Sequence, residues 1–189
     1  MKETVIGLGL LLSGLAMTAC TPVNTPQGAR PAASLPSGVS SRPLPAPGSC
    51  HMRSGGGQPL PDPACTPGAV NPDVTQASIG STSCKSGWTA TVRPPVSVTN
   101  RIKQQTDIAY GLPTSTVGEL DHLVSLELGG APADTRNLWV EPGKIPNPKD
   151  AVESKLHAAI CTGRVTLVAA QKAIATDWTT ALVVTGAGR

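Results

Sequence analysis

At 189 residues, with 39% hydrophobic residues, a single Tyr and no Phe, the chain has material for one modest domain plus appendages. Its core must rest on aliphatics and on Trp88, Trp139 and Trp178. The formal charge of +3 overstates its basicity: from Leu60 onward eleven Lys and Arg face eleven Asp and Glu. That balance lacks the basic footprint of an avid non-specific nucleic-acid binder, which works by neutralising phosphates.

The first residues read as an export signal: Lys2, an apolar run from Val5 to Met17, then small residues before Cys20. Met17-Thr18-Ala19-Cys20 resembles a bacterial lipobox, which would make 1–19 a lipoprotein signal peptide and Cys20 the acylated N-terminus. An acyl chain buries methylenes in a membrane, whereas an ordinary cleaved signal releases the protein. The position of Cys20 at the end of the apolar run favours lipidation, and Thr21 carries no Asp-type retention signal. The expectation is an exported, membrane-anchored lipoprotein of the outer membrane or periplasm. Residues 20–60 are dominated by Pro, Ser, Gly and Ala, as in SRPLPAPGS, and should form a disordered or polyproline-like tether.

Cys50, Cys65, Cys84 and Cys161 remain. An even count in an exported chain suggests two disulfides, with three pairings open. Zinc is the rival, but no CxxC pair frames it.

Residues 61–115 read as a small Cys-containing module and a helix. Thr89, Thr91 and Val92 suggest a short extended piece after Trp88, stopped by Pro94-Pro95. A helix is expected from Ser97 to Tyr110, capped by Ser97 or Thr99, with Ile102, Ile108 and Ala109 as its apolar stripe. Arg93, Arg101 and Lys103 are either a solvated surface or phosphate contacts.

Residues 116–180 carry the chemistry, and 181–189 read as a tail. Glu119 to Leu128 has a strand's alternation: Leu120, His122, Val124, Leu126 and Leu128 on one face, Asp121 and Glu127 on the other. Gly129-Gly130 ends it in a turn, and Asn137-Leu138-Trp139-Val140 reads as a second strand. Asn147-Pro148 is an N-cap followed by Pro at the first helical position. Val152, Leu156, Ala159 and Ile160 form that helix's apolar face, and Gly163 stops it. A last helix runs from Thr166 to Trp178, with Leu167, Ala170, Ile174 and Trp178 on its buried side.

The ordered set Asp121-His122, Gly129-Gly130, Asn137-Leu138 and Asn147 with Lys149 resembles the HNH endonuclease family, whose core is a ββα unit around one divalent metal. The match covers residues 119–157, and no CxxC pairs frame it. More widely, residues 65–178 resemble exported bacterial proteins that carry this core. The resemblance implies an α+β fold: an HNH-like ββα-metal core with flanking helices, preceded by a disordered Pro-rich tether. It implies His122 as general base, since imidazole titrates near neutrality. Asp121 and Asn147 would be metal ligands, and Asn137 would hold the loop or orient His122. The cofactor would be one divalent ion, Mg²⁺ first, with Mn²⁺, Ni²⁺ or Zn²⁺ as other options and no small-molecule cofactor.

Plainer roles compete. His122 also fits a hydrogen-bonded strand histidine, Asp121 a partner for Arg136 or Lys149, Asn137 a turn residue, and Asn147 a simple cap. Glu153 and His157, four apart on one helix, are an alternative metal pair, while Asp150 and Glu153 also suit a helix's first turn. Adjacent Asp121 and His122 leave a strand on opposite faces, so a shared site needs a twist or bulge there. The expected function is metal-dependent hydrolysis of nucleic-acid phosphodiesters in the envelope or outside the cell. The alternative is a non-catalytic lipoprotein or binding module on the same scaffold.

Overall fold

Two antiparallel strands and the helix that follows them organise the computed structural model, which describes residues 44–113, 118–143 and 145–189. The export signal, Cys20 and the tether up to residue 43 lie outside the described residues. The described residues form a mixed α+β structure of five helices and two small two-stranded sheets.

Residues 44–60, expected to belong to the tether, are built into the structure. Strands β1 (Arg53–Gly55) and β2 (Gln58–Leu60) form a hairpin across Gly56 and Gly57, both at positive φ as the tight turn requires. Composition misled here because the segment borrows partners from distant chain. Cys50 is bonded to Cys65, Leu60 is buried, and the Trp178 indole N–H donates to the Pro59 carbonyl. The Arg53 guanidinium donates to the carbonyls of Pro61 and Thr176.

Residues 88–92 form one helical turn, α1 (Trp88–Val92), instead of the extended piece expected. Gly87 enters it at φ 76°, and the Thr91 hydroxyl donates back to the Trp88 carbonyl within the turn, so local bonding overrides the strand preference of Thr and Val. Helix α2 (Val96–Ala109) begins behind Pro95, with no capping bond from Ser97 or Thr99. Ile102 and Ala109 are buried on it, while Ile108 points outward.

Strand β3 (Gly118–His122) pairs with β4 (Leu138–Pro142) in continuous register, Asp121 opposite Trp139 and His122 opposite Leu138. The expected longer strand stops at His122. Beyond it Leu123, Val124, Ser125 and Leu126 are buried in succession, which one-sided alternation does not produce, and Leu126–Leu128 is a 3₁₀ turn. Trp139 enters the main core beside Leu156, Ala159 and Ile160, whereas Leu138 lines a cavity with Thr106, Ala109 and Tyr110. The β3–β4 pair thus lies between α2 and the core carrying α3 (Pro148–Cys161).

Helices α3 and α4 (Leu167–Asp177) start on side-chain caps. Asn147 and Asp150 form a reciprocal capping box at the first, and the Thr166 hydroxyl accepts from Ala169 N–H at the second. A short α5 (Ala181–Thr185) follows where a tail was expected, with Ala181 buried against the core. The two disulfides are Cys50–Cys65 and Cys84–Cys161, the second tying the 79–87 loop to the end of α3. Among the described residues no helix is long and apolar enough to cross a membrane.

Candidate functional site

The capping box sets where α3 begins, and that start delivers Lys149 into the protein. Its ammonium is fully buried and donates to Asp121 Oδ2 at 2.7 Å, to the His122 carbonyl at 2.8 Å and to Glu153 Oε1. Those three bonds use every donor an ammonium has. Burial opposes its charge, but Asp121 and Glu153 more than compensate and hold the Lys149 pKa above its ordinary value.

A third carboxyl completes the cluster. Strand pairing puts Glu119, Asp121, Trp139 and Glu141 on one face of the sheet. Glu141 is buried against Asp121, and its Oε2 has no hydrogen-bond partner among the described residues. Burial first, and the Asp121 charge second, push the Glu141 pKa up to about 8. Burial also raises Glu153, to about 7, with Lys149 opposing and Asp121 adding to the shift. Glu119 is raised by burial and by Asp121. The physical content is simple: Asp121, Glu141 and Glu153 face one ammonium, and the excess negative charge is relieved by holding protons.

His122 leaves β3 on the other face, as regular pairing demands; the strand has no bulge there. Its Nε2 bonds the Pro132 carbonyl at 2.9 Å, so Nε2 carries the proton and Nδ1 keeps its lone pair. Burial lowers the pKa, with the Pro132 bond and Asp121 opposing. The imidazole is therefore neutral at physiological pH with one basic nitrogen uncommitted to the Pro132 carbonyl. Exposed Arg93, at the entry to α2, is close enough to act electrostatically on both His122 and Glu119.

Asn137 is a loop pin. Fully buried, it accepts from Val124 N–H at 2.9 Å and donates to the carbonyls of Val124 at 2.9 Å and Ala131 at 3.1 Å. These bonds clamp the chain on either side of the Gly129-Gly130 turn. Asn147 spends its oxygen on the Lys149 and Asp150 N–H groups, so that oxygen is committed to the cap and a metal would have to break it. Arg136 pairs with Asp134, which leaves Lys149 as the ion-pair partner of Asp121.

The structure thus gathers Asp121, Glu141, Lys149 and Glu153, with His122 reaching them through its backbone and its imidazole across the strand. Glu141 went unread in the sequence although the signal was present: two residues after Trp139 on a strand, it shares a face with whatever Trp139 opposes, here Asp121.

A second donor group lies at the far end of α3. Cys84, His157 and Cys161 have ligand atoms within 4.8 Å of one another, a spacing that could hold a metal ion. Their sulfurs are joined in a disulfide, however, and a disulfide sulfur is no thiolate ligand. His157 bonds the Ser83 carbonyl and sits 3.7 Å from Glu127, so it does not combine with Glu153 as a ligand pair.

Compared with known proteins, the chain matches no family model, no curated protein and no solved structure.

Proposed function

We propose that the chain is a metal-dependent phosphodiester hydrolase of the HNH type, acting on nucleic acid in the cell envelope. The observation that carries this reading is the group of Asp121, Glu153 and buried Glu141 around the Lys149 ammonium, beside a strand whose next residue is a neutral, carbonyl-anchored histidine. Asp121, Glu141 and Glu153 are the oxygen donors that hard divalent ions take, but Lys149 stands between Asp121 and Glu153 and the three do not converge on one point, so an ion would need them to draw together. Asp121, Glu141 and Glu153 would hold it, in place of the Asp121 and Asn147 pair expected from sequence. When bound, such an ion supplies stabilisation of the charge that develops on the leaving oxygen.

The chain's own residues supply the rest. The Pro132 carbonyl fixes the imidazole tautomer, so His122 Nδ1 is the atom that takes a proton from water. Low pKa keeps that atom unprotonated at neutral pH. Arg93 offers an exposed guanidinium near His122 for a substrate phosphate. Asn137 holds the intervening loop so that β3 and β4 keep their register. The outer edge of β3 is unpaired among the described residues and has His122 on one face and Asp121 on the other. A strand of nucleic acid laid along that edge meets both.

Two disulfides suit an oxidising compartment and support export, with Cys20 as lipid anchor and the membrane as its partner. The competing reading, a non-catalytic binding module, is favoured by Lys149, which already gives Asp121 and Glu153 a partner.

The full chain with its disulfides formed separates the two. Supercoiled plasmid and single-stranded RNA are incubated with it in Mg²⁺, Mn²⁺, Ni²⁺ or Zn²⁺. The hydrolase reading expects metal-dependent nicking that His122→Ala abolishes while the circular dichroism spectrum is kept. A folded wild type that cleaves neither substrate with any of these ions leaves the binding module.

A further inference from the structure

The two disulfides differ in their surroundings. Cys50 is buried and Cys65 half-buried, whereas Cys84 is half-buried and Cys161 exposed. The second bond also has an imidazole beside it: a ring nitrogen of His157 and the sulfurs of Cys84 and Cys161 lie within 4.8 Å of one another. His157 and Cys161 are four residues apart on α3, the spacing that sets two ligands on one helix face. His157 Nε2 bonds the Ser83 carbonyl at 3.0 Å, so in the neutral ring Nε2 carries the proton and Nδ1 keeps its lone pair. A bond of this kind from the second ring nitrogen is what fixes the tautomer of a metal-ligating histidine. Glu127 Oε2, 3.7 Å from Nδ1, adds a carboxylate beside that nitrogen.

We propose that Cys84, His157 and Cys161 form a zinc site that opens when their disulfide is reduced. A dithiol is the reductant. Its thiolate attacks the exposed Cys161 sulfur, forming a mixed disulfide and expelling Cys84 as a thiolate. Its second thiol then closes the reductant's own disulfide and releases Cys161, so the dithiol is oxidised by two electrons and the two cysteines are reduced. Zinc binds both sulfurs as thiolates, and the protons they would otherwise hold go to solvent. Two thiolates and a neutral imidazole are donors that zinc takes in tetrahedral sites, and a water fills the fourth position. Zn–S bonds of about 2.3 Å set tetrahedral sulfurs about 3.8 Å apart, a spacing that cysteine side chains reach from a Cα–Cα distance of 5.6 Å by rotation. Metal thus takes over the work of the covalent bond: in either state the 79–87 loop stays tied to the end of α3. None of these donors belongs to the Asp121 cluster, so this inference stands or falls apart from the hydrolase reading.

The test uses the full chain, as oxidised and after treatment with dithiothreitol and desalting without oxygen. Peptide mass spectrometry after alkylation reports which cysteines have opened. Cys84 and Cys161 should be alkylated before Cys50 and Cys65; a folded chain whose Cys84–Cys161 bond resists the dithiol overturns the gate. Co²⁺ then stands in for zinc as a spectroscopic probe. The reduced chain should show sulfur-to-cobalt charge-transfer absorption and the visible bands of a tetrahedral ion, lost on adding one equivalent of Zn²⁺, and the oxidised chain should show neither. A reduced chain with both thiols free and no such absorption overturns the site.

Thermal melts and one variant complete it. Reduction should lower the melting temperature by several degrees, and Zn²⁺ should restore it in the reduced chain while leaving the oxidised chain unchanged. No restoration by Zn²⁺ overturns the proposal. His157→Gln, whose amide keeps a donor for the Ser83 carbonyl, should bind Zn²⁺ about ten-fold more weakly or worse. Equal affinity in the reduced variant and wild type removes His157 from the site and overturns it as well. If the variant does not fold, the wild-type cobalt spectrum and the zinc-restored melt decide.

Discussion

Asn137→Ala tests whether the loop between the strands is held by one amide. The substitution strands the Val124 N–H, whose hydrogen-bond acceptor is Asn137 Oδ1, and leaves the Val124 and Ala131 carbonyls without the donor they share. Each buried polar group left unmade costs about 1–3 kcal/mol, and the N–H more surely than the carbonyls, so the sum is about 3–5 kcal/mol. Water cannot repair the loss easily, because the site is closed: a Cβ on Gly130 would stand 1.7 Å from the Val124 carbonyl and 2.7 Å from Asn137 Nδ2. Urea unfolding of wild type and variant measures the difference. Asn137→Asp sharpens it. The carboxylate keeps an acceptor for Val124 N–H but turns a second oxygen towards two carbonyls, so the buried acid is better protonated and its folded pKa is raised. A raised acid adds stability below its unfolded pKa and loses it as pH rises through the folded value. The deficit of Asn137→Asp should therefore shrink as pH falls from neutrality. A loss under about 1 kcal/mol for Asn137→Ala would mean the loop is held by its apolar side chains instead.

Three further outcomes follow from the same geometry. Glu141 and Glu153, raised to about 8 and about 7, bind protons in the folded state that the unfolded chain has released. Metal-free stability should accordingly fall as pH rises from about 5 to 8, and Glu141→Gln should flatten that slope in melts across the range. Disrupting Cys84–Cys161, which spans 77 residues, should cost about 4 kcal/mol, and Cys50–Cys65, which spans 15, about 3 kcal/mol, on the loop-entropy account; paired Cys→Ser variants in urea check the order. In the cleavage assay, the acid limb of the pH–rate profile should lie below the ordinary imidazole value of about 6.5, because burial lowers His122; a limb above it would exclude His122 as the base.

What the sequence made legible was whatever is decided within a few residues. The Asn147-Pro148 start of α3, the Thr166 start of α4, the Leu138 strand and the two-disulfide count all rest on local chemistry, and all are present. The failures lie where distant chain decides. Alternation carried the first strand on to Leu128, but Asn137, thirteen residues past Val124, bends it away through Val124. Residues 44–60 read as tether because nothing in their composition announces a partner such as Trp178. At the site, Asp121 and His122 stood out by type, whereas Glu141 and Lys149 acquire meaning only once strand register and helix phase bring them to the same place.

That helix phase explains why one helix serves the cluster, the imidazole of His157 and a disulfide in turn. Lys149, Glu153, His157 and Cys161 recur at every fourth residue of α3. With 3.6 residues per turn, such a row drifts about 40° around the axis at each step. Exposure rises along it as the drift requires: 0% for the Lys149 side chain, 13% for Glu153, 30% for His157, and an outward-facing Cys161. Lys149 takes Asp121 on β3 and Glu153 within the helix, His157 takes the Ser83 carbonyl and faces Glu127, and Cys161 holds the 79–87 loop through Cys84. The disulfide therefore fixes the far end of the same row whose near end is buried in the carboxylates. Any rotation of α3 that parted Lys149 from Asp121 would have to be absorbed within three helical turns, because the Cys84–Cys161 bond holds the other end.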